Sequence, residues 1–235
     1  MLKNTAKLLL AVFVLMSCGK SSPADNNGGG DKDGGGGGKD TTSTSITWPS
    51  PEGDVVGKIT VGYQGWFACI GDGSPINGWW HWSKDWAKAP STTNAGFGSW
   101  PDMTDFTHKY PTDFASLNSG EPATLYSNFD DQTVDVQFSW MKQYGIDAAA
   151  LQRFNPNGSE GPIRDSVTAR VKQSAEKYGV KFYIMYDVSG WSNMQPELKA
   201  DWTNKMKAYT ASSAYAMQNG KPVVCIWGFG FNDEN

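Results

Sequence analysis

Four short runs are apolar at nearly every position and bounded by Gly or Pro: KITVGYQGWF (58–67), IDAAALQRF (146–154), VKFYIMYDV (180–188) and PVVCIWGFGF (222–231). Runs of this length and composition fit strands buried on both faces. Ahead of each of the last three, the apolar positions fall into a helical period. DQTVDVQFSWMKQYG, with Asp130 just ahead of its first residue Asp131, places Val134, Phe138 and Met141 on one stripe and closes at Gly145. PIRDSVTARVKQSAEKYG repeats the design, with Pro162 near its start, Ile163, Val167, Val171 and Ala175 on one face, and Gly179 after its end. PELKADWTNKMKAYTASSAYAMQNG starts at Pro196, puts Leu198, Trp202, Met206 and Tyr209 on its stripe, and stops at Gly220. Proline near the start and glycine just past the end are helix boundary signals.

The order is therefore strand, long loop, helix, strand, helix, strand, helix, strand. Alternation of this kind predicts an α/β fold with a parallel sheet and right-handed crossovers. A (β/α)8 TIM-type barrel and an open doubly wound sheet both fit. No Gly-x-Gly-x-x-Gly follows a strand, and polar and aromatic residues gather at the strand ends, where a barrel carries its chemistry. The expectation is a barrel. A complete one takes roughly 250 residues, and only four strands are visible before the chain stops at GFGFNDEN. The chain is thus expected to be the N-terminal half of a barrel, truncated after about four strands. A complete small four-stranded sheet is the alternative.

One stretch obeys neither period. NGWWHWSKDW (77–86) packs four tryptophans among hydrogen-bonding groups, inside a segment of about 65 residues after the first strand. The N-terminus also stands apart. MLKNTAKLLLAVFVLMSC couples two lysines to an apolar run too short to cross a bilayer. Leu15-Met16-Ser17-Cys18 resembles the lipobox of bacterial lipoproteins. The resemblance implies a signal peptide over 1–17, lipidation at Cys18, and a lipid-anchored place in the cell envelope, at the outer membrane or cell surface. Residues 18–45, rich in Gly, Ser and Asp, are too poor in large apolar groups to fold and read as a tether. The globular part is 46–235.

Composition narrows the function. The chain of 235 residues carries a net charge of −4 and has no basic run, which argues against nucleic-acid binding. Beyond Cys18 it has only Cys69 and Cys225, expected as buried free thiols rather than a disulfide. Two histidines, His81 and His108, without clustered carboxylates, give no expectation of a metal or cofactor.

In a parallel α/β fold the strand C-termini are the first place to look. They supply Tyr63, Gln64 and Trp66; Gln152 and Arg153; Tyr186, Asp187, Ser189 and Trp191; and Trp227, Asn232 and Asp233. Rings and hydrogen-bonding groups together suit a sugar, whose C–H face stacks on an indole and whose hydroxyl rim binds amides, carboxylates and guanidinium groups. Trp79, Trp80, His81 and Trp82 are expected to lean over that rim, although indoles there also suit plain packing. Arg153 can bind substrate or form a structural ion pair, with Asp187 as a possible partner. Asp187 is a weak catalytic candidate; its alternative is a turn or cap. Asp147 opens its strand at the other end and reads as structural.

VGYQGWF, WWHWS, VDVQFSWMKQYGIDAAALQRF and FYIMYDVSGW together resemble the N-terminal barrel half of glycoside hydrolase family 99 and its relatives, including family 71. The resemblance implies endo-acting α-mannosidase or α-1,3-glucanase chemistry, with a glutamate pair in later strands that no segment here matches. It implies that Tyr63 and Tyr186-Asp187 line the sugar site, with Asp187 one methylene shorter than the family's glutamate. LQRF in place of a tryptophan-rich ending implies a different sugar. The expectation is a surface-tethered glycoside hydrolase-like protein, or a non-catalytic glycan-binding lipoprotein on the same scaffold.

Overall fold

The computed structural model describes residues 52–230. The signal segment, Cys18, the tether, Asn232 and Asp233 lie outside the described residues. Along the chain come β1 (Thr60–Tyr63), β2 (Tyr110–Pro111), β3 (Thr124–Leu125), α1 (Asp131–Gln143) and β4 (Ala148–Arg153). They are followed by α2 (Gly161–Tyr178), β5 (Lys181–Asp187), α3 (Met194–Asn204), a 3-10 helix (Met206–Ala211), β6 (Met217–Gln218), β7 (Lys221–Pro222) and β8 (Val224–Trp227).

The fold is α/β. Four strands form one parallel sheet in the order β1-β4-β5-β8. That spatial order is also the sequence order, so each crossover steps to the next position. Right-handed crossovers that all step the same way put their helices on one face of the sheet. The contacts agree. Phe138 of α1 meets the Tyr63 ring edge-on at 5.6 Å, and Asp165 of α2 and Asp201 of α3 both bind Arg153. Strand alternation then sorts the side chains. Tyr63, Leu151, Arg153, Ile184, Tyr186, Val224 and Ile226 share the helix-covered face. Gly62, Ala150, Gln152, Met185, Asp187, Cys225 and Trp227 share the other.

The helix stripes bury as their period requires. Val134 and Phe138 are fully buried in α1, and Ile163, Val167, Val171 and Ala175 in α2. Gly179 caps α2 with φ 68°, a left-handed conformation costly for residues with a Cβ, and donates its N–H to the Ala175 carbonyl at 2.9 Å. Asp130 precedes α1 but makes no side-chain cap; the Tyr110 hydroxyl donates to its carboxylate instead, at 2.9 Å to the nearer oxygen.

The third helix differs from expectation. α3 ends at Asn204, a 3-10 turn follows, and the small β6–β7 hairpin occupies the stretch read as helix end and strand start. Lys205 leaves helical geometry, and the Ser212 hydroxyl accepts the Ala214 N–H at 3.1 Å while donating to Glu176. Serine competing locally for backbone groups is a known helix breaker. Met206 stays buried because the 3-10 turn still presents it to the core.

The insert after β1 builds a core of its own. Cys69, Trp79, Trp82 and Leu125 are buried together, with Phe67, Phe97, Trp100, Tyr110 and Tyr126 packed around them. Asn94 ties the tryptophan-rich loop by donating to the carbonyls of Asp85, Lys88 and Ala89, each at 3.1 Å. Asp72 pins the other side, accepting from Cys69 N, Ser74 N and the Ser127 hydroxyl. Cys69 and Cys225 are both free, as expected; Cys69 is buried and Cys225 half-buried.

Candidate functional site

The strand ends do not deliver their side chains to one place. Tyr63, Arg153 and Tyr186 were expected at a common rim with Asp187 and Trp227. Instead they point into the layer between sheet and helices. The Tyr63 hydroxyl donates to Gln137 Oε1 at 2.6 Å and accepts from Asn128 at 3.2 Å. Arg153 is 1% exposed; its Nε and Nη2 donate to Asp201 at 2.6 and 2.5 Å, and Nη2 also reaches Asp165 at 2.8 Å. The Tyr186 hydroxyl donates to the same Asp201 carboxylate at 2.8 Å. Burial pushes both phenols far above their ordinary range. Burial also works against the Arg153 charge, and the flanking carboxylates more than offset it. These three residues hold the fold, and Arg153 takes its structural alternative with Asp201 rather than Asp187.

Three of the aromatic candidates are also structural. Trp82 is 2% exposed, stacks on Phe67 at 3.8 Å, and donates its indole N–H to the Tyr126 carbonyl at 2.8 Å. Trp191 is buried and donates to Glu197 at 2.5 Å. Trp79 is buried as well. The indoles of the loop are thus divided: two make the insert's core, Trp86 is exposed, and Trp80 is half-buried.

What remains at the sheet's C-terminal end falls into two groups. On the face opposite the helices, Gln152 Nε2 donates to Asp187 Oδ2. Asp187 Oδ1 accepts the Ser189 N–H at 3.0 Å. Trp227 is in register with Asp187 on that face and is 45% exposed. Gln152 and Asp187 are buried, at 8% and 6% exposed, so the trio sets a fixed carboxylate and amide beneath an exposed indole.

The second group lies over the ends of β1 and β4. Trp66 stacks on His81 at 4.0 Å and 18° and on Phe154 at 5.5 Å and 17°, making a pile of three rings. Trp80 meets His81 edge-on at 5.5 Å. Glu160, in the residue before α2, reaches His81 Nε2 at 2.9 Å. Arg164 Nη2 lies 2.9 Å from the other Glu160 oxygen, close enough for an ion pair but without hydrogen-bond alignment. Arg164 is 2% exposed, stands over the Phe154 ring, and donates to the Gln64 carbonyl at 2.7 Å.

Burial pushes the Arg164 guanidinium down to about 10, with Glu160 resisting. Burial acts to raise the Glu160 carboxyl, but the His81 bond and the Arg164 charge win and hold it below its ordinary range. His81 also has a left-handed backbone, φ 61°, uncommon outside glycine. Strain of this kind gathers where surrounding contacts over-determine a conformation, often at functional sites.

Phe154, Glu160 and Arg164 were not selected from the sequence as site residues. Glu160 sits in a Gly-rich loop where a charge looks merely solvated. The available signal was Arg164, a charge beside Ile163 on the buried face of α2. Among the described residues no cluster of His, Cys, Asp and Glu suits a metal ion. Two cavities lie beside these groups rather than on them. One of about 420 Å³ adjoins the ends of β5 and β8, with Ser192, Asn193 and Phe229 in its wall. One of about 330 Å³ lies between β1 and α1, beside Tyr63 and Trp140.

No protein-family model matches the chain, and no curated protein does. Among solved structures it is similar to a GH99 endo-alpha-mannosidase from Bacteroides thetaiotaomicron. In complex with bis-tris propane, that structure matches at 14% identity and a TM-score of 0.45 over 72% of this chain and 41% of its own. A second structure of the enzyme matches at 14% identity and 0.46, over 72% and 44%. The chain spans about two fifths of the length of the structures it matches. Similarity at this level assigns neither a family nor an activity.

Proposed function

We propose that the chain is part of a surface-tethered glycoside hydrolase-like protein whose sugar site lies at the C-terminal end of the sheet. The observation that carries this reading is the Gln152–Asp187 pair, held on the face opposite the helices with Trp227 in register beside it. A carboxylate and an amide locked together offer fixed acceptors and donors to sugar hydroxyls, and the indole offers a flat apolar partner. Tyr63, Arg153, Tyr186, Trp82 and Trp191, expected at this site, are buried in structural contacts instead. Trp66, His81 and Phe154 add a second ring surface over β1 and β4, with Trp80 at its edge.

The parent architecture in this proposal is a (β/α)8 barrel. Two observations support it: the strands keep sequence order, and Val224 and Ile226, on the helix side of β8, are 41% and 49% exposed. Apolar side chains on that side call for a covering helix. Hydrolysis of a glycosidic bond uses two carboxylates flanking it. Asp187 is engaged by Gln152 and Ser189, which suits a group that orients a hydroxyl. That engagement favours the second reading, glycan binding without bond cleavage, for the described residues on their own.

The test is a calorimetric titration of the full chain with manno-, gluco- and xylo-oligosaccharides, beside Asp187→Ala. Saturable binding that Asp187→Ala weakens about tenfold or more is the expected result. Binding by neither protein to any of the three removes the proposal. For the envelope location, palmitate labelling of cells making the wild-type chain and Cys18→Ala decides: label on both, or on neither, overturns the anchor.

A further inference from the structure

The insert carries a cavity of about 470 Å³, separate from the strand ends. It lies between the loop from Trp100 to Thr104 and the segment from Leu117 to Thr124. Its volume falls within the roughly 300–1,000 Å³ of small-ligand sites. Trp100 lines it and is held in place by edge-on contacts to Phe97 at 5.5 Å and Phe114 at 5.3 Å. The Trp100 indole nitrogen is buried and has no acceptor. That nitrogen is closed off from solvent, so Trp100 meets the cavity through its ring carbons.

The rest of the wall decides the ligand class. Leu117 and Met103 supply apolar surface, and Asp102, Glu121 and Lys109 stand around it. The Thr104 backbone N–H holds the Asp102 carboxyl below its ordinary range, so it is an ionised acceptor at neutral pH. Two carboxylates against one lysine disfavour an anion. A lone indole with a lysine in the same wall does not make a cation cage. A neutral polyol with an apolar face suits this wall: hydroxyls for the carboxylates and the lysine, and C–H groups for Leu117, Met103 and the Trp100 ring.

We propose that this cavity is a second, non-catalytic saccharide site built into the insert. It does not depend on the strand-end reading. Its ligand is a neutral hexose unit of a glycan chain, and its effect is to hold a polymer against the domain.

The experiment uses the Trp100 indole as a reporter in the cavity wall. Proton–nitrogen correlation spectra of the full chain, with the Trp100 indole peak identified by its loss in Trp100→Phe, are recorded against mannotetraose, maltotetraose and xylotetraose. The expected result is a saturable shift of the Trp100 peak with one of them. Leu117→Asp, on a residue 36% exposed and outside the packed core, is expected to weaken it about tenfold. Asp187→Asn leaves it unchanged. A Trp100 peak that does not move with any tetraose overturns the proposal, and so does a shift that Leu117→Asp leaves intact. Shifts at Trp66 or Trp227 without Trp100 overturn this site and leave the strand-end reading standing. A Trp100 shift with those two silent does the reverse.

Discussion

Asp201→Ala tests whether Arg153 is a structural residue. Asp201 is 2% exposed at its side chain and accepts three hydrogen bonds, two from Arg153 and one from the Tyr186 hydroxyl. Removing one partner of a buried ion pair costs roughly 3–5 kcal/mol, because a charge is left in a poor environment. Here Asp165 still reaches Arg153 at 2.8 Å, but it is 47% exposed and shared with Lys205. It compensates only in part, so the loss should fall near the lower end, about 3 kcal/mol. For a domain of this size that lowers Tm by roughly 6–12 °C. The control is Lys205→Ala, which breaks an exposed pair and should cost about 0–1 kcal/mol. Thermal unfolding followed by circular dichroism compares the two. If Asp201→Ala lowers Tm no further than Lys205→Ala, the buried cluster is not what holds α3 to the sheet, and Arg153 becomes a candidate for ligand contact again.

Three further outcomes are expected. Glu160→Gln removes the ionised partner of His81 and Arg164; Glu160 titrates below its unfolded value, so its stabilisation is present above that value and lost as pH falls through the folded one. The wild-type Tm should therefore decline more steeply than the variant's between about pH 5 and 3, and parallel curves would refute the pairing. Gly161→Ala places a Cβ 1.9 Å from the Pro156 carbonyl oxygen, and a loss of about 1–3 kcal/mol should appear in urea unfolding; an unchanged midpoint would mean the turn before α2 relaxes freely. Trp82→Phe deletes the N–H that bonds Tyr126 but keeps a ring against Phe67, so it should cost about 1 kcal/mol and leave glycan binding unaltered. Lost binding with retained stability would put Trp82 back in contact with ligand.

The elements of the fold were legible because their signals are local. A stripe such as Val134-Phe138-Met141 requires only that one helix face be apolar, and a run such as FYIMY only that both strand faces be covered. The break after α3 was less so: Lys205 leaves helical geometry, and Ser212 closes the 3-10 turn that follows through bonds to Ala214 and to Glu176, 36 residues away. Alternation alone also separates Gln152 from Arg153, as neighbours in a strand face opposite ways.

Which of the two faces the helices was not in the pattern, because the strands are apolar on both. That was decided when all crossovers stepped one way and α1, α2 and α3 covered the side carrying Tyr63, Arg153 and Tyr186. The pairings that give these residues their roles span 48 positions from Arg153 to Asp201 and 79 from His81 to Glu160. The residue types at the strand ends were therefore sequence information. Their partition between the helix-covered face and the opposite one belongs to the tertiary structure, because a charge or a ring takes its role from what the packed chain brings within a few ångströms of it.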